Sequence, residues 1–369
     1  MKQQRITISL AILICTTFLK AQELPLTPEY WEVNSRGHVF ENFKGQQSLY
    51  LFNGVAKLKE DVFFKTGVIE YDIYVTERRG FPGIQFRIED ESNYEEFYIR
   101  PHQSGNLDAN QYTPVFNGLS GWQLYYGAGN AAPISYKMNA WNHIKLVLAE
   151  TDAEVYINDM DTPLLYIPEL KRAPQAGTIR LSGGGPSPFH FANVKLKASP
   201  NPAFKSKRKD LQSIDENVIS TWQVSNSFSE RELESIYDLN QKKFKSLTWT
   251  ALKSERSGKA NLARVAQNEG NNNTVFAKIT IVSDKVQVKA LRYGFSDRAR
   301  VFFNGKLMAS GNDGFRTRDY RFLGTMGYFD AVYLPLKKGK NELWIAVSEN
   351  FGGWGLMAAF ENKLGVKVD

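Results

Sequence analysis

Residues 84–126 read IQFRIEDESNYEEFYIRPHQSGNLDANQYTPVFNGLSGWQLYY, and their alternation decides the fold class. Ile84, Phe86 and Ile88 alternate with Gln85, Arg87 and Glu89, the period of two that puts successive side chains on opposite faces of a strand. A second strand comes next, with Phe97 and Ile99 on its apolar side and Glu96, Tyr98 and Arg100 on the other, leading to His102. If the apolar sides pack on a second sheet, Gln85, Arg87, Tyr98 and Arg100 share the opposite surface. Asn117, Trp122, Gln123 and Tyr125 join them from the turn-rich segment behind. Planar amides, guanidinium groups and rings together suit a polyhydroxylated ligand, because rings cover sugar C–H faces while amides and Arg bond the hydroxyls. The competing reading is a solvated sheet face, since β propensity alone also favours aromatic residues on exposed strands.

Outward from this stretch, residues 28–198 keep the same character: short strand patterns separated by Gly, Pro, Asn and Asp turns, with no amphipathic helix pattern. Strands are predicted at 48–52, 55–58, 67–75, 84–88, 95–100, 122–126, 141–149, 154–157, 178–182 and 189–197, which together imply a β-sandwich. Ser199, Pro200, Asn201 and Pro202 interrupt them, and a basic run, Lys205, Lys207, Arg208 and Lys209, comes after. We read 199–209 as a linker and the basic run as a solvated hinge. In 210–240, Ser229 precedes Glu232 at capping-box spacing, with Leu233 and Ile236 at helical intervals, which predicts one short helix. Strand patterns then resume between residues 246 and 361. Asn304–Gly305 between apolar runs marks a two-residue hairpin. The chain therefore reads as all-β, with a sandwich at 28–198 followed by a jelly roll at 210–369.

The ends and the charge narrow the class. Lys2 and Arg5 precede an apolar run at 6–19, too short for the roughly 20 residues of a membrane span. Ala21 before Gln22 is a plausible cleavage point, so 1–21 reads as a signal peptide and the mature chain as secreted, periplasmic or held in the cell envelope. The single cysteine, Cys15, falls inside that leader. The mature chain would then hold no disulfide, thiolate nucleophile or Cys-based zinc site, which fits a bacterial envelope protein better than an animal extracellular one. Losing Lys2, Arg5 and Lys20 takes the formal charge from +7 to +4. So weak an excess is no nucleic-acid signature.

Four stretches, GVIEYDIYV at 67–75, FPGIQFRIEDESNYEEFYIRP at 81–101, WNHIKLVLAETDAEVYIND at 141–159 and AGTIRLSGGGPSPFHFANVKLK at 176–197, make the first domain resemble the concanavalin A-like lectin and laminin-G-like superfamily. Within it the chain is similar to 3-keto-disaccharide hydrolase-like domains of environmental and gut bacteria. FSDRARVFFNGKLMASG at 295–311, FRTRDYRFLGT at 315–325 and LPLKKGKNELWIAVSENFGGWG at 334–355 make the second resemble galactose-binding-like jelly rolls attached to carbohydrate-active enzymes. The resemblance implies two β domains and work near polysaccharides; fold likeness alone does not say whether a bond is cut.

Laminarinase-type glycosidases of that superfamily carry three carboxylates at alternate positions of one strand. Glu70 and Asp72 fit the first two places, but position 74 is Tyr74 and the next carboxylate is Glu77, so the carboxyl pair such chemistry requires is incomplete. Of the four histidines, His38, His102, His143 and His190, only His102 lies among candidate ligand contacts, as a contact or a base. The run Glu89–Asp90–Glu91 with Asn93, Glu95 and Glu96 is a hard-oxygen set of the kind that chelates Ca²⁺, set against a turn solvated by its own charge; no other cofactor is implied. In the second domain Arg316, Arg318, Asp319, Trp344 and Trp354 read as interdomain packing ahead of a sugar surface.

The sequence thus predicts an exported glycan-binding protein. Tyr98, Trp122 and Tyr125 stack on pyranose rings, Arg87 and Arg100 bond hydroxyls or a carboxylate, Gln111 and Asn117 fix orientation, and His102 lines the approach. The alternatives are a glycoside-cleaving hydrolase or lyase using Glu70, Asp72 or His102, and an envelope adhesion or scaffold module.

Overall fold

The computed structural model describes residues 21–59, 64–211 and 213–368; the predicted leader, with Cys15, lies almost wholly outside them. Up to Ala198 every strand belongs to one continuous antiparallel sheet. Along its main path the order is Leu165–Ile167, Ala153–Ile157, Ala140–Leu148, Gly67–Val75, Phe189–Ala198, Gln46–Leu58, Thr178–Gly184, Phe81–Asp90, Asn93–Ile99, Asn110–Phe116 and Leu119–Ser120, with Trp31–Phe43 paired to Gln46–Leu58 and Gln22–Glu23 to Phe189–Ala198. The strand Gln46–Leu58 makes this sheet a sandwich. Its first part, Ser48 to Leu51, pairs with Phe189–Ala198, and its last part, Val55 to Lys57, pairs with Thr178–Gly184. The chain turns between them at Asn53, whose φ is +46°, and at Gly54, where a Cβ would sit 2.3 Å from the Asn34 carbonyl oxygen. The sheet therefore folds over itself, and the two predicted strands 48–52 and 55–58 are one bent element. Ile69, Tyr71 and Ile73 from one layer and Ile84, Phe86, Phe97 and Ile99 from the other meet in a single buried cluster. At about 25 cal/mol per Å² of apolar surface removed from water, this cluster is the main force holding the layers together.

The second half builds a separate pair of sheets. A seven-stranded sheet runs in the order Thr221–Ser225, Thr274–Ser283, Gly339–Ser348, Arg298–Phe303 through its centre, and a four-stranded sheet holds Gly355–Phe360, Gln287–Ser296 and Asp330–Leu336. Alternation again assigns the faces. Val275, Ala277, Val301, Leu343 and Ile345 lie in the core between these sheets, while Phe276, Phe302 and Trp344 point outward. The Asn304–Gly305 hairpin forms as read: Phe303 pairs with Lys306, and the two turn residues have φ of +47° and +84°.

Three expectations change. The helix predicted from Ser229 and Glu232 is a single 3₁₀ turn, Glu230–Leu233, and Ser229 makes no side-chain cap bond. Leu233 and Leu239 instead drop, with Phe228 and Phe244, onto the outward rings of Phe276 and Trp344. Packing onto a sheet competes with helical periodicity here and wins. The predicted strand at 122–126 is a turn, whose side chains and backbone bond to the second half of the chain. The basic run is exposed, as a solvated segment would be, but it is tied down: Asp152 accepts from Arg208, the Asp161 carboxylate and carbonyl take Lys205 Nζ, and the backbone amides of Lys205 and Ser206 donate to Glu154. Residues 205–208 thus lie strapped along the Ala153–Ile157 strand.

Candidate functional site

The two layers of the first half each turn a polar face outward. On the layer of Phe81–Asp90, Asn93–Ile99 and Asn110–Phe116, cross-strand pairing sets Tyr98 opposite Gln111 and Gln85 opposite Glu96. Tyr98 donates its hydroxyl hydrogen to Gln111 Oε1 at 3.0 Å. Arg100 donates to the Tyr98 hydroxyl oxygen at 2.7 Å, to Gln111 Oε1, and to the Asp108 carbonyl at 2.9 Å. Gln111 Nε2 in turn donates to the Trp122 carbonyl at 2.8 Å. Beside this row, Arg180 donates to Gln85 at 2.8 Å, is paired with Glu91, and lies 4.8 Å from the Tyr94 ring centre. Ser120 donates to Glu96 at 2.9 Å, and burial raises the Glu96 carboxyl above its usual range. The rim is aromatic. Phe81, half-buried, stands edge-on to Tyr98 at 6.2 Å and to His102 at 5.5 Å. Burial, with Arg79 and Arg100 nearby, lowers His102 to about 4, so its imidazole is neutral at pH 7. Its Nδ1 is buried without a hydrogen-bond partner.

Tyr98, Arg100, Gln111 and His102 are thus brought together where the sequence predicts. Three other predicted contacts are not. Arg87 is fully buried, because the ladder slips between Phe86 and Asp90 and Arg87 adopts φ of +50°. Across this slip Arg87, Ile88 and Glu89 stand against Tyr94 alone, and the simple alternation of faces breaks there. The Arg87 guanidinium points inward, to Glu95 at 3.3 Å, the Lys65 carbonyl at 2.8 Å, the Glu150 carbonyl at 3.2 Å and the Ala149 carbonyl. Tyr112 completes the set by donating to Glu95 at 2.7 Å. Asn117 spends its amide on the carbonyl of Ala263 in the second half, at 2.8 Å. Tyr125 is 1% exposed, and its hydroxyl donates to Glu255.

Asn117 and Tyr125 belong to a junction between the halves, whose contacts in the second half include Phe315, Leu323 and Met326, beside the segment read as interdomain packing. Gln123, fully buried, donates to the Leu323 carbonyl at 2.7 Å and accepts from Ser296 at 2.9 Å, while its backbone amide donates to Gly352 at 2.8 Å. Tyr126 donates to the Met326 carbonyl at 2.8 Å, and Leu124 and Tyr125 pack with Met326 and Met357. Pairing with another strand would consume the backbone groups that this turn gives to the junction. Trp122 keeps partial exposure, in a trio with Phe315 at 5.8 Å and Phe351 at 5.7 Å. The Gly324 and Gly352 positions, both at positive φ, leave room for Gln123 that a Cβ would close to 2.6 and 2.0 Å. Of the second-half residues singled out, Arg316 lies over Phe315, while Arg318 pairs with Asp313 and Asp319 with Arg321. Trp344 and Trp354 are buried within their own half, Trp354 in the core.

The second polar face belongs to the layer of Gly67–Val75. Glu70 and Asp72 share it, as the alternation requires, and His143 from the neighbouring strand bridges them, at 3.5 and 2.6 Å. The two carboxylates raise His143 to about 9, and its imidazolium lowers both of theirs. Next to this charged row runs an aromatic one: Trp141 pairs with Tyr74, Tyr74 with His190, and His190 with Tyr50. Phe43 stacks on His190 at 3.7 Å. Neither Glu70 nor Asp72 faces the layer that carries His102. The acidic turn disperses its charges too: Glu89 pairs with Arg172, Asp90 accepts from Ser92 and Asn93, and Glu91 pairs with Arg180. Among the described residues no three Asp, Glu, His or Cys side chains converge to hold a metal ion.

The chain is an all-β protein of sandwich and jelly-roll type. Over about half its length it is similar to several solved structures, at low identity. One is the carbohydrate-binding module CBM66 from Bacillus subtilis, at 14% identity and a TM-score of 0.34, covering 44% of this chain and 92% of that one. Another is a Bacillus licheniformis β-glucanase, at 12% identity and a TM-score of 0.34, covering 48% and 98%. A third is a laminarinase from Flavobacterium sp. UMI-01, at 9% and 0.35, covering 49% and 99%. No protein-family model matches the sequence, and no curated protein does either.

Proposed function

We propose that the chain is an exported glycan-binding protein, organised as a sandwich at 28–198, a linker at 199–209 and a jelly roll at 210–369. Its ligand lies on the outward face of the layer carrying Tyr98, Arg100 and Gln111. The observation that carries this reading is the hydrogen-bonded set of those three side chains beside two partly exposed rings, Phe81 and Trp122. A set whose members hold one another loses little rotamer entropy on binding. Rings at its rim offer the flat apolar area that sugar C–H faces need. Binding is favoured over cleavage by the carboxylates: Glu96 stands without an acidic partner at alternate positions of its strand, while Glu70 and Asp72 lie on the other layer, tied to His143.

Affinity electrophoresis of the chain from residue 22 through gels containing neutral or acidic polysaccharides tests this. The reading predicts retardation by at least one polymer, with no new reducing ends or unsaturated products. It also predicts that Phe81→Ala and Tyr98→Phe reduce retardation, whereas Trp141→Ala on the opposite layer leaves it intact. Retardation that survives the first two variants and is lost with the third would move the site to the aromatic row of Tyr74 and Trp141.

A further inference from the structure

The rim of this face carries more positive charge than its own carboxylates engage. Arg79 is exposed, with its guanidinium 5.4 Å from the centre of the Phe81 ring, and Arg100 lies 4.9 Å from the centre of the Tyr98 ring. Phe81 and Tyr98 meet edge to face, and His102 closes the third side against Phe81. Two guanidinium groups thus flank one imidazole across two touching rings. Both act on it electrostatically, against a single opposing carboxylate, Asp108. Neither Arg79 nor Arg100 forms an ion pair among the described residues, although Arg87, Arg172 and Arg180 of the same layer each do. The buried, unpartnered His102 Nδ1 adds one more polar atom at the same place.

We infer that this corner is an oxyanion subsite, and that the glycan recognised is an acidic one, its carboxylate or sulfate held between Arg79, Arg100 and His102. The inference rests on the glycan-binding reading above and narrows it. Guanidinium forks match planar or tetrahedral oxyanions through paired charge-assisted hydrogen bonds, and a site rimmed by aromatic rings lets the sugar ring stack while its anion is held. Arg100 is largely buried and already fixed by Tyr98, Gln111 and the Asp108 carbonyl, so it contributes a fixed positive charge beside the anion. Arg79 is the exposed, adjustable half of the clamp.

Calorimetric titration of the chain from residue 22 tests this with three probes: oligogalacturonate, its carboxyl-reduced neutral counterpart of equal length, and a sulfated galactan oligomer. At least one acidic probe is expected to bind about tenfold or more tighter than the neutral one. Arg79→Ala should remove most of that preference with the melting temperature unchanged, and Arg79→Lys should restore part of it. Preference for the uronate identifies a carboxylate as the anion; preference for the galactan identifies a sulfate. Equal binding of acidic and neutral probes would overturn the inference while leaving the glycan-binding reading standing. An acid preference untouched by Arg79→Ala would overturn the placement. Failure of all three probes, together with failure of every polysaccharide in the gels above, would remove both.

Discussion

Replacing Arg87 by Met isolates the contribution of the inward-turned guanidinium. Wild type sets a fully buried Arg87–Glu95 pair in a shell of polar partners: three carbonyl oxygens on the arginine, and the Tyr112 hydroxyl and Arg172 amide on the glutamate. Removing one partner of a buried pair leaves an uncompensated charge, at a cost of about 3–5 kcal/mol. For a folding unit of 150–250 residues each kcal/mol shifts the melting temperature by roughly 2–4 °C, so the expected drop is roughly 6–20 °C. The deficit also depends on pH in a defined direction. Burial raises the Glu95 carboxyl and Arg87 is the largest influence lowering it. Without Arg87, folded Glu95 holds its proton to higher pH than an unfolded carboxylate does. Wild type and variant both lose stability as pH rises above the unfolded carboxylate value of about 4.3, but the variant goes on losing it after wild-type Glu95 has ionised, so its deficit widens at higher pH. Scanning calorimetry at pH 5 and pH 7.5 should show the larger deficit at pH 7.5, and adding Glu95→Gln should recover part of it. A drop under 2 °C, or one equal at both pH values, would refute the inward pair as a stabilising element.

Three further outcomes rest on single side chains. Gln123→Ala leaves the Leu323 carbonyl and Ser296 hydroxyl without their partner in a buried junction. It should cost about 1–3 kcal/mol and speed limited proteolysis within 199–209, read by mass spectrometry. Burial and the neighbouring Asp297 raise Glu349 to about 8; because this folded value exceeds the unfolded one, wild-type stability is lost as pH climbs from about 4.5 towards 8. Glu349→Gln should remove that decline and raise the melting temperature at pH 8.5. His143, raised to about 9 from 6.5, stabilises fully below 6.5 and progressively less up to pH 9, and His143→Gln should flatten the wild-type melting curve against pH across that window.

The strands are legible in the sequence because period-two alternation reports which side of a layer meets the core. Gly67–Val75 and Asn93–Ile99 place Ile69, Tyr71, Ile73, Phe97 and Ile99 in the core at alternate positions, and the Asn304–Gly305 turn is set by the positive φ at both residues. Legibility stops where the period breaks. The bulge before Asp90 turns Arg87 inward, and nothing in the spacing of Gln85, Arg87 and Glu89 marks it. Trp122 to Tyr126 has strand composition, yet its aromatic rings and Gln123 serve contacts with residues some 130 to 200 positions away, which no local pattern encodes. The same holds for His143: its bridge between Glu70 and Asp72 exists because two distant strands pair in that register. Phe81 and Arg79 join the site although alternation singles out neither, since both precede the stretch that decides the fold; an Arg two residues before a ring at a strand entry is the available signal.

Which face a glycan covers is the central question, and hydrogen-exchange mass spectrometry with and without a retarding polysaccharide measures it. Protection concentrated in 79–86, 94–103 and 110–123, with 67–75 and 140–148 unchanged, is the predicted footprint. Protection confined to 67–75, 140–148 and 189–198 would contradict it, and would transfer the site to the face of Glu70, Asp72 and His143.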